Sequence, residues 1–253
     1  MATSIDINAD LGEGADAAHL THDIPLLDLV SSSNIACGYH AGNAWTMAAT
    51  IRAARDRGVV IGAHPSYPDL PGFGRRELGL SAPQIGFHVA AQVRSMAAIC
   101  AREGAQLRYV KTHGALYNRA AIEKNAARAI VDAIRDVDAS LALLGLPSSE
   151  MQRAADERGI RFVREAFVDR SYRADGTLVP RGQPSAVIGD AEVAVARAVT
   201  LVKDGFLPTE NGGELRIDAQ SLCVHGDNPQ AASLLRALRA GFDAAGVSVA
   251  AFA

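Results

Sequence analysis

A chain of 253 residues, 49% hydrophobic and 21% charged, has the makeup of a globular protein with a sizeable core. Lysine and arginine total 25 against 28 acidic residues, a formal net charge of −3, and no basic run argues for nucleic acid as the main partner. Three scattered cysteines, Cys37, Cys100 and Cys223, exclude a disulfide framework or a cysteine-rich zinc site and read as reduced thiols. With no visible secretory signal and no apolar run of membrane-spanning length, the expected setting is cytoplasmic, without a membrane partner.

In chain order, the first strand is expected in "SIDINA", with Asp6, Asn8 and Asp10 on one face and Glu13 just beyond in "LGEG". The second, "SSSNIAC", runs into "GYHAGN" and so places His40 and Asn43 at its carboxyl end. From here a phrase recurs: an Ala- and Arg-rich helical segment, a glycine, then a short apolar run. "TIRAARDRG" leads to "VVIGAH" and His64; "MAAICAREG" leads to "AQLRYVKTH", with Lys111 and His113 two positions apart. "SLALLG" is the fifth strand, and "MQRAADERG" leads to "IRFVREAF" with Glu165, followed by Asp169 and Arg170. "SLCVH" ends at His225 with Asp227 beyond, and "LRAGFDAAG" leads to "VSVAAF". Glycine after a helix is the usual left-handed cap, and the apolar run behind it reads as a buried strand. Helix starts are expected at Ser81, with Pro83 in the first turn, and at Asn228, with Pro229.

Strands alternating with helices imply a parallel sheet, and seven or eight such units at this length predict an α/β fold, a (β/α) barrel, complete or irregular, as one domain over residues 1–253. An open doubly wound sheet is the alternative, but no G-x-G-x-x-G follows the first strand. Two segments break the rhythm. Pro65–Leu78, rich in Pro and Gly, is a shaped loop; Asp169–Pro184 carries an Asp175-Gly176 turn that signals a hairpin. Both follow strands, where barrel enzymes place substrate loops and lids.

Taken singly, the polar residues at strand ends have bland uses: Asp10 as a turn residue, Glu165 and Arg170 as a surface ion pair, any one histidine as structural. Four of the seven histidines nevertheless fall just after apolar strand runs, beside glycine or proline, whereas His19, His22 and His88 do not. A barrel brings those ends to one mouth. Carboxylates and imidazoles there can exchange protons, and a lysine can hold an anion or neutralise developing charge. Asp10, His40, His64 and His113 could also bind a divalent metal, although no HExxH helix supports it. There is no G-x-S-x-G nucleophile elbow, and no G-x-x-x-x-G-K-[ST] loop to cradle ATP.

The blocks "INADLGEG", "NIACGYHAGN", "IGAHPSYPDLPGFGRRELG", "VKTHGALYN", "FVDRSYRADGTLVPRG" and "LCVHGDNP" resemble, in order, those of the LamB/YcsF family, over roughly residues 5 to 230. The resemblance implies a barrel related to the glycoside hydrolase and deacetylase barrels. It also implies ATP-dependent, hydrolytic opening of 5-oxoproline (pyroglutamate) to L-glutamate, with ATP as co-substrate, Mg2+ accompanying it, and separate B and C subunits of a 5-oxoprolinase as partners. A lactam is a poor electrophile, and phosphorylation of its oxygen would create a leaving group. Carried onto matching positions, the resemblance points to Asp10, His64, Lys111, His113 and Glu165 as catalytic and to His40, Asp169, Arg170 and His225 as substrate-binding. Other readings are a stand-alone metal-dependent hydrolase or deacetylase and a non-catalytic binding subunit. Three departures stand out: a short segment after Gly14, Thr112 in place of the usual proline, and Asn43 in place of aspartate, which removes an anionic ligand from the expected set.

Overall fold

The computed structural model describes residues 4–225 and 230–252. Seven parallel strands close on themselves: β1 (Ser4–Leu11), β2 (Ser32–Ala36), β3 (Val60–His64), β4 (Leu107–Val110), β5 (Ala142–Gly145), β6 (Phe162–Phe167) and β9 (Ser221–Val224), the last pairing with both β6 and β1. Between them run α1 (Ala17–Leu27), α2 (Ala44–Arg55), α3 (Ala82–Arg102), α4 (Gly114–Ile122), α5 (Lys124–Val137), α6 (Glu150–Arg158) and α7 (Ala191–Asp204), with α8 (Ala231–Ala245) after the last barrel strand.

The two faces of β1 show how the sequence builds this shell. Ile5, Ile7, Ala9 and Leu11 join the apolar layer between strands and helices, while Asp6, Asn8 and Asp10 bond across the barrel interior. The charged groups Asp10, Lys111 and Glu165 meet toward the carboxyl ends of the strands. At the other end, Tyr109, Ala142, Leu144 and Val163 form a separate apolar plug with Val60 and Phe252 against it. Gly62 on β3 makes room for the Tyr109 ring, which a β-carbon would overlap. Outside, α5 buries Ala126, Ala127, Ile130, Val131 and Ile134 on one face and packs on α3.

The helix–glycine–strand phrase is realised as read: Gly58, Gly104, Gly159 and Gly246 all take left-handed backbone, at φ 67, 67, 69 and 70°. Ser81 opens α3 in a capping box with Gln84; Asp227, Asn228 and Pro229 lie outside the described residues. Barrel closure takes seven strands. The expected eighth, β10 (Ser248–Val249), pairs only with Ser4 and Ile5 of β1, and from Asp6 onward that edge belongs to β9. An antiparallel hairpin of β7 (Phe206–Pro208) and β8 (Glu214–Arg216) was not expected; its three-residue arms are too short to show alternation. The Asp175-Gly176 turn forms, with Gly176 at φ 84°, but its arms meet only at the isolated bridges Tyr172–Leu178 and Arg170–Val187.

Candidate active site

Lys111 and His113 follow β4, and their amides extend the ladder beside β3: Lys111 N–H donates to Ala63 O and His113 N–H to Pro65 O, both at 2.9 Å. That alternation turns both side chains to the barrel mouth. The Lys111 ammonium is buried and lies 2.8 Å from Glu165 Oε1 and 3.2 Å from Asp10 Oδ1. It also donates to Asn8 Oδ1 at 3.2 Å and to Cys223 Sγ at 3.0 Å. Burial opposes its charge, but Asp10, the Cys223 sulfur and Glu165 outweigh burial and hold its pKa well above the usual lysine range. Asp10 shows the converse: burial pushes its pKa up, and His64 and Lys111 pull it well below the usual carboxylate range. Burial raises the Cys223 thiol well above its ordinary value, so Cys223 is a neutral neighbour and no thiolate nucleophile.

The remaining polar interior holds this pair in place. Asn8 Nδ2 donates to Glu165 Oε1 at 3.0 Å and to Ser221 Oγ at 2.8 Å, and Tyr117 O–H donates to Glu165 Oε2 at 2.9 Å. Asn34 Nδ2 donates to Asn8 Oδ1 and to Asp10 Oδ1, each at 2.7 Å. Deeper still, Asp6 accepts from Ser31, Ser32 and Ser221, and burial lifts its pKa to about 6.

Three imidazoles sit on the other side of Asp10. His64 Nε2 is 3.4 Å from Asp10 Oδ2 and 3.0 Å from His113 Nδ1. His40 stacks on His113 with ring centres 4.0 Å apart, and its Nε2 is 3.4 Å from Glu13 Oε1. Ligand atoms of Glu13, His40, His64 and His113 all lie within 4.8 Å of one another. Burial and the neighbouring His64 lower His40 to about 3, and burial with His40 and His64 lowers His113 well below the ordinary value. The Pro-rich loop closes over them: Phe73 takes left-handed backbone at φ 53°, and a β-carbon on Gly74 would collide with Ser66 Oγ and crowd His113 and His40.

Above the lysine centre is a cavity of about 620 Å³ lined by Asp10, His64, Lys111, His113, Arg170 and His225, and by Arg75, Arg173 and Arg181 from the two irregular loops. His225 Nδ1 is 2.9 Å from both Asp169 oxygens. Burial raises Asp169, but His225, Arg181 and Arg170 bring it below its ordinary value, so the carboxylate accepts Nδ1–H and leaves Nε2 as the second ring nitrogen of a residue that lines the cavity.

All nine expected residues are therefore buried near one barrel end, but they divide into groups. Asp10, Lys111 and Glu165 form the charged centre, His40, His64 and His113 a histidine cluster, and Asp169 with His225 a dyad. Arg170 lines the cavity and also donates from its guanidinium to the carbonyls of Ala186 and Val179 at 3.2 and 2.6 Å, tying the 170–188 loop together. His40, Glu165 and Asp169 stand behind the cavity wall. Asn43 is a helix cap: its side chain accepts from Trp45 and Thr46 N–H at 2.9 and 3.1 Å and donates to Ala15 O at 3.0 Å. Aspartate in its place would serve that cap. Thr112 lines the cavity, its buried hydroxyl without a partner among the described residues. Sequence reasoning missed Arg75, Arg173 and Arg181, although the two loops carrying them were singled out. It also missed Asn8, Tyr117 and Ser221 as supports.

A closed parallel barrel with paired charges and an arginine-lined cavity at the carboxyl ends of its strands has the layout of the (β/α)-barrel enzymes. Within that class the chain belongs to the LamB/YcsF family, whose profile matches residues 5–253. It is 46% identical over 249 residues to the A subunit of 5-oxoprolinase from Streptomyces avermitilis, covering 98% of this chain and 100% of that one. A solved relative, the lactam utilization protein from Thermus thermophilus, superposes with a TM-score of 0.92 at 41% identity, over 98% of this chain and 100% of the other. The catalytic domain of a peptidoglycan N-acetylglucosamine deacetylase from Eubacterium rectale, at 10% identity and a TM-score of 0.54, covering 99% of this chain and 89% of its own, shares the fold alone.

Proposed function

We propose that residues 1–253 act as one barrel domain that opens 5-oxoproline to L-glutamate, as the A component of an ATP-dependent cyclic amidase working with B and C subunits in the cytoplasm. The observation that carries the reading is the buried Lys111 ammonium, fixed between Asp10 and Glu165 beneath a cavity lined by Arg75, Arg173 and Arg181. The names of relatives that match end to end support the same chemistry.

A lactam carbonyl is a weak electrophile, so ATP, entering with Mg2+ as co-substrate, activates it by phosphorylation of the amide oxygen. The activated ring bears two anionic groups, its carboxylate and the phosphate, and the loop arginines bind them. Lys111 faces the reacting carbon and bears the charge that develops on oxygen; Glu165, Asn8 and Tyr117 keep it in position. His225, oriented by Asp169, takes a proton from the attacking water and returns it to the ring nitrogen as the C–N bond breaks, leaving γ-glutamyl phosphate. A second water cleaves this acyl phosphate to L-glutamate and inorganic phosphate, ADP having left after the phosphoryl transfer. Asp10 keeps the neighbouring ammonium charged.

Glutamate release from 5-oxoproline, measured with this chain alone and with its B and C partners, tests the proposal. Product is expected only with partners and ATP together. A fully complemented complex that releases no glutamate would overturn it.

A further inference from the structure

Two nitrogens of the histidine cluster make contacts that the lactam reaction does not use. His64 Nδ1 lies 2.7 Å from the Lys111 carbonyl oxygen, and His113 Nε2 lies 2.9 Å from the Phe73 carbonyl oxygen. A carbonyl oxygen only accepts, so each of these ring nitrogens must carry the hydrogen. In neutral rings the opposite nitrogens, His64 Nε2 and His113 Nδ1, then hold lone pairs, and they face each other at 3.0 Å. Two acceptors at that distance repel unless a cation lies between or beside them. A proton shared by these two nitrogens would serve that pair alone, whereas His40 and Glu13 bring ligand atoms to the same place, all four residues' ligand atoms lying within 4.8 Å of one another.

The surrounding groups suit a metal ion better. A tetrahedral ion with bonds of about 2.1 Å keeps its ligand atoms about 3.4 Å apart. The separations here are 3.0 Å for His64 Nε2 to His113 Nδ1, 3.4 Å for His40 Nε2 to Glu13 Oε1, and 3.7 Å for His113 Nδ1 to Glu13 Oε1. Ligating histidines commonly donate their second N–H to a backbone carbonyl, which fixes ring and tautomer, and His64 and His113 both do so. His40 makes its polar contact on the cluster side only; its buried Nδ1 has no partner among the described residues. Gly74 and the left-handed Phe73 hold the loop that supplies one of the anchoring carbonyls.

We infer that His40, His64, His113 and Glu13 form a binding site for a single divalent transition-metal ion of the zinc type, next to the Lys111 centre. Three imidazoles and one carboxylate favour Zn2+, Fe2+, Co2+ or Ni2+ over Mg2+ or Ca2+, which take oxygen-rich shells. This ion is distinct from any Mg2+ that accompanies ATP, and Glu13 takes the place among the ligands that Asp10 holds in the sequence-based set. Asp10 instead bonds Lys111 and Asn34 while facing the same His64 nitrogen.

The test uses the full chain, stripped with a chelator and titrated with Co2+ and with Zn2+, without substrate or partner subunits. The expected result is one ion per chain, intense visible d–d absorption of four-coordinate Co2+, its displacement by Zn2+, and a higher melting temperature when loaded. His113→Gln, and separately His64→Gln, should weaken Zn2+ binding about 100-fold or more. Because either variant could fail to fold, the wild-type Co2+ spectrum is an independent readout. No stoichiometric binding, a weak six-coordinate spectrum, or affinity unchanged in folded His113→Gln would each overturn the site. Glutamate release plays no part in these readouts, so failure here leaves the lactam proposal untouched, and the reverse holds.

Discussion

Replacing Lys111 with methionine isolates the electrostatics of the barrel mouth from its chemistry. Methionine has nearly the same length and fills most of the same space, so the cavity contribution is small. The charge contribution is large, because two carboxylates, 2.8 and 3.2 Å from Nζ and both buried, lose their cation together. Breaking a buried pair from one side costs about 3–5 kcal/mol. In urea, where slopes rise with size and reach about 3 kcal/mol/M for larger single domains, the midpoint should fall by about 1–2 M. The pH dependence gives a second, sharper signature. In the wild type Asp10 has a depressed pKa, so its contribution is present above the unfolded value and lost as pH falls through the folded one. In Lys111→Met the Asp10 carboxylate loses the cation that helps hold its pKa down, so its pKa rises and its cost to the variant grows as pH rises through that folded value. The difference between wild type and variant should therefore shrink from pH 7 to pH 5. Adding Glu165→Gln removes one of the two uncompensated charges and should recover about 2 kcal/mol. Equal urea midpoints at pH 7, or a difference that does not shrink at pH 5, would refute the reasoning.

Asp6, with its pKa lifted from 3.8 to about 6, favours its protonated form in the fold, so its contribution is present below pH 4 and lost as pH rises through about 6. Relative to Asp6→Asn, the wild type should lose roughly 3 kcal/mol across that window, read from urea unfolding at successive pH values. Asn43→Asp keeps the two cap bonds to Trp45 and Thr46 and gives up the bond to Ala15, so calorimetry should find stability within about 1 kcal/mol of wild type. Arg181→Ala should raise KM for 5-oxoproline in the complemented enzyme about tenfold or more while leaving the urea midpoint unchanged, as expected for a cavity-lining cation that binds substrate.

Much of this architecture was legible in the sequence because its signals are local. Short apolar runs located all seven barrel strands and β10, with capping glycines marking β3, β4, β6 and β10, and strand alternation alone put Asp6, Asn8 and Asp10 on one face and Lys111 with His113 on another. What could not be read was pairing. Nothing in "VSVAAF" says that β10 would yield the closing position to β9, since that depends on which strand reaches the β1 edge beyond Ile5. Partner choice inside the mouth was likewise hidden: Glu165 and Arg170 are five residues apart in sequence, yet one holds Lys111 and the other ties a loop. Asn43 looked like a lost ligand because the resembling family carries aspartate at that position, and only the backbone geometry of α2 shows that it caps a helix. The arginines of the two loops carry no periodic signal, and their convergence on one cavity comes from the folded loops.

The central claim is that the charged mouth of this barrel opens the lactam ring. Its most direct test is ATP-dependent glutamate release by the complex with B and C subunits, comparing wild type with Lys111→Met/Glu165→Gln, the better-compensated of the two Lys111 variants. The account predicts a fall of about 1,000-fold or more in rate for a variant that still folds and joins its partners. Glutamate release at the wild-type rate from that folded complex would contradict it.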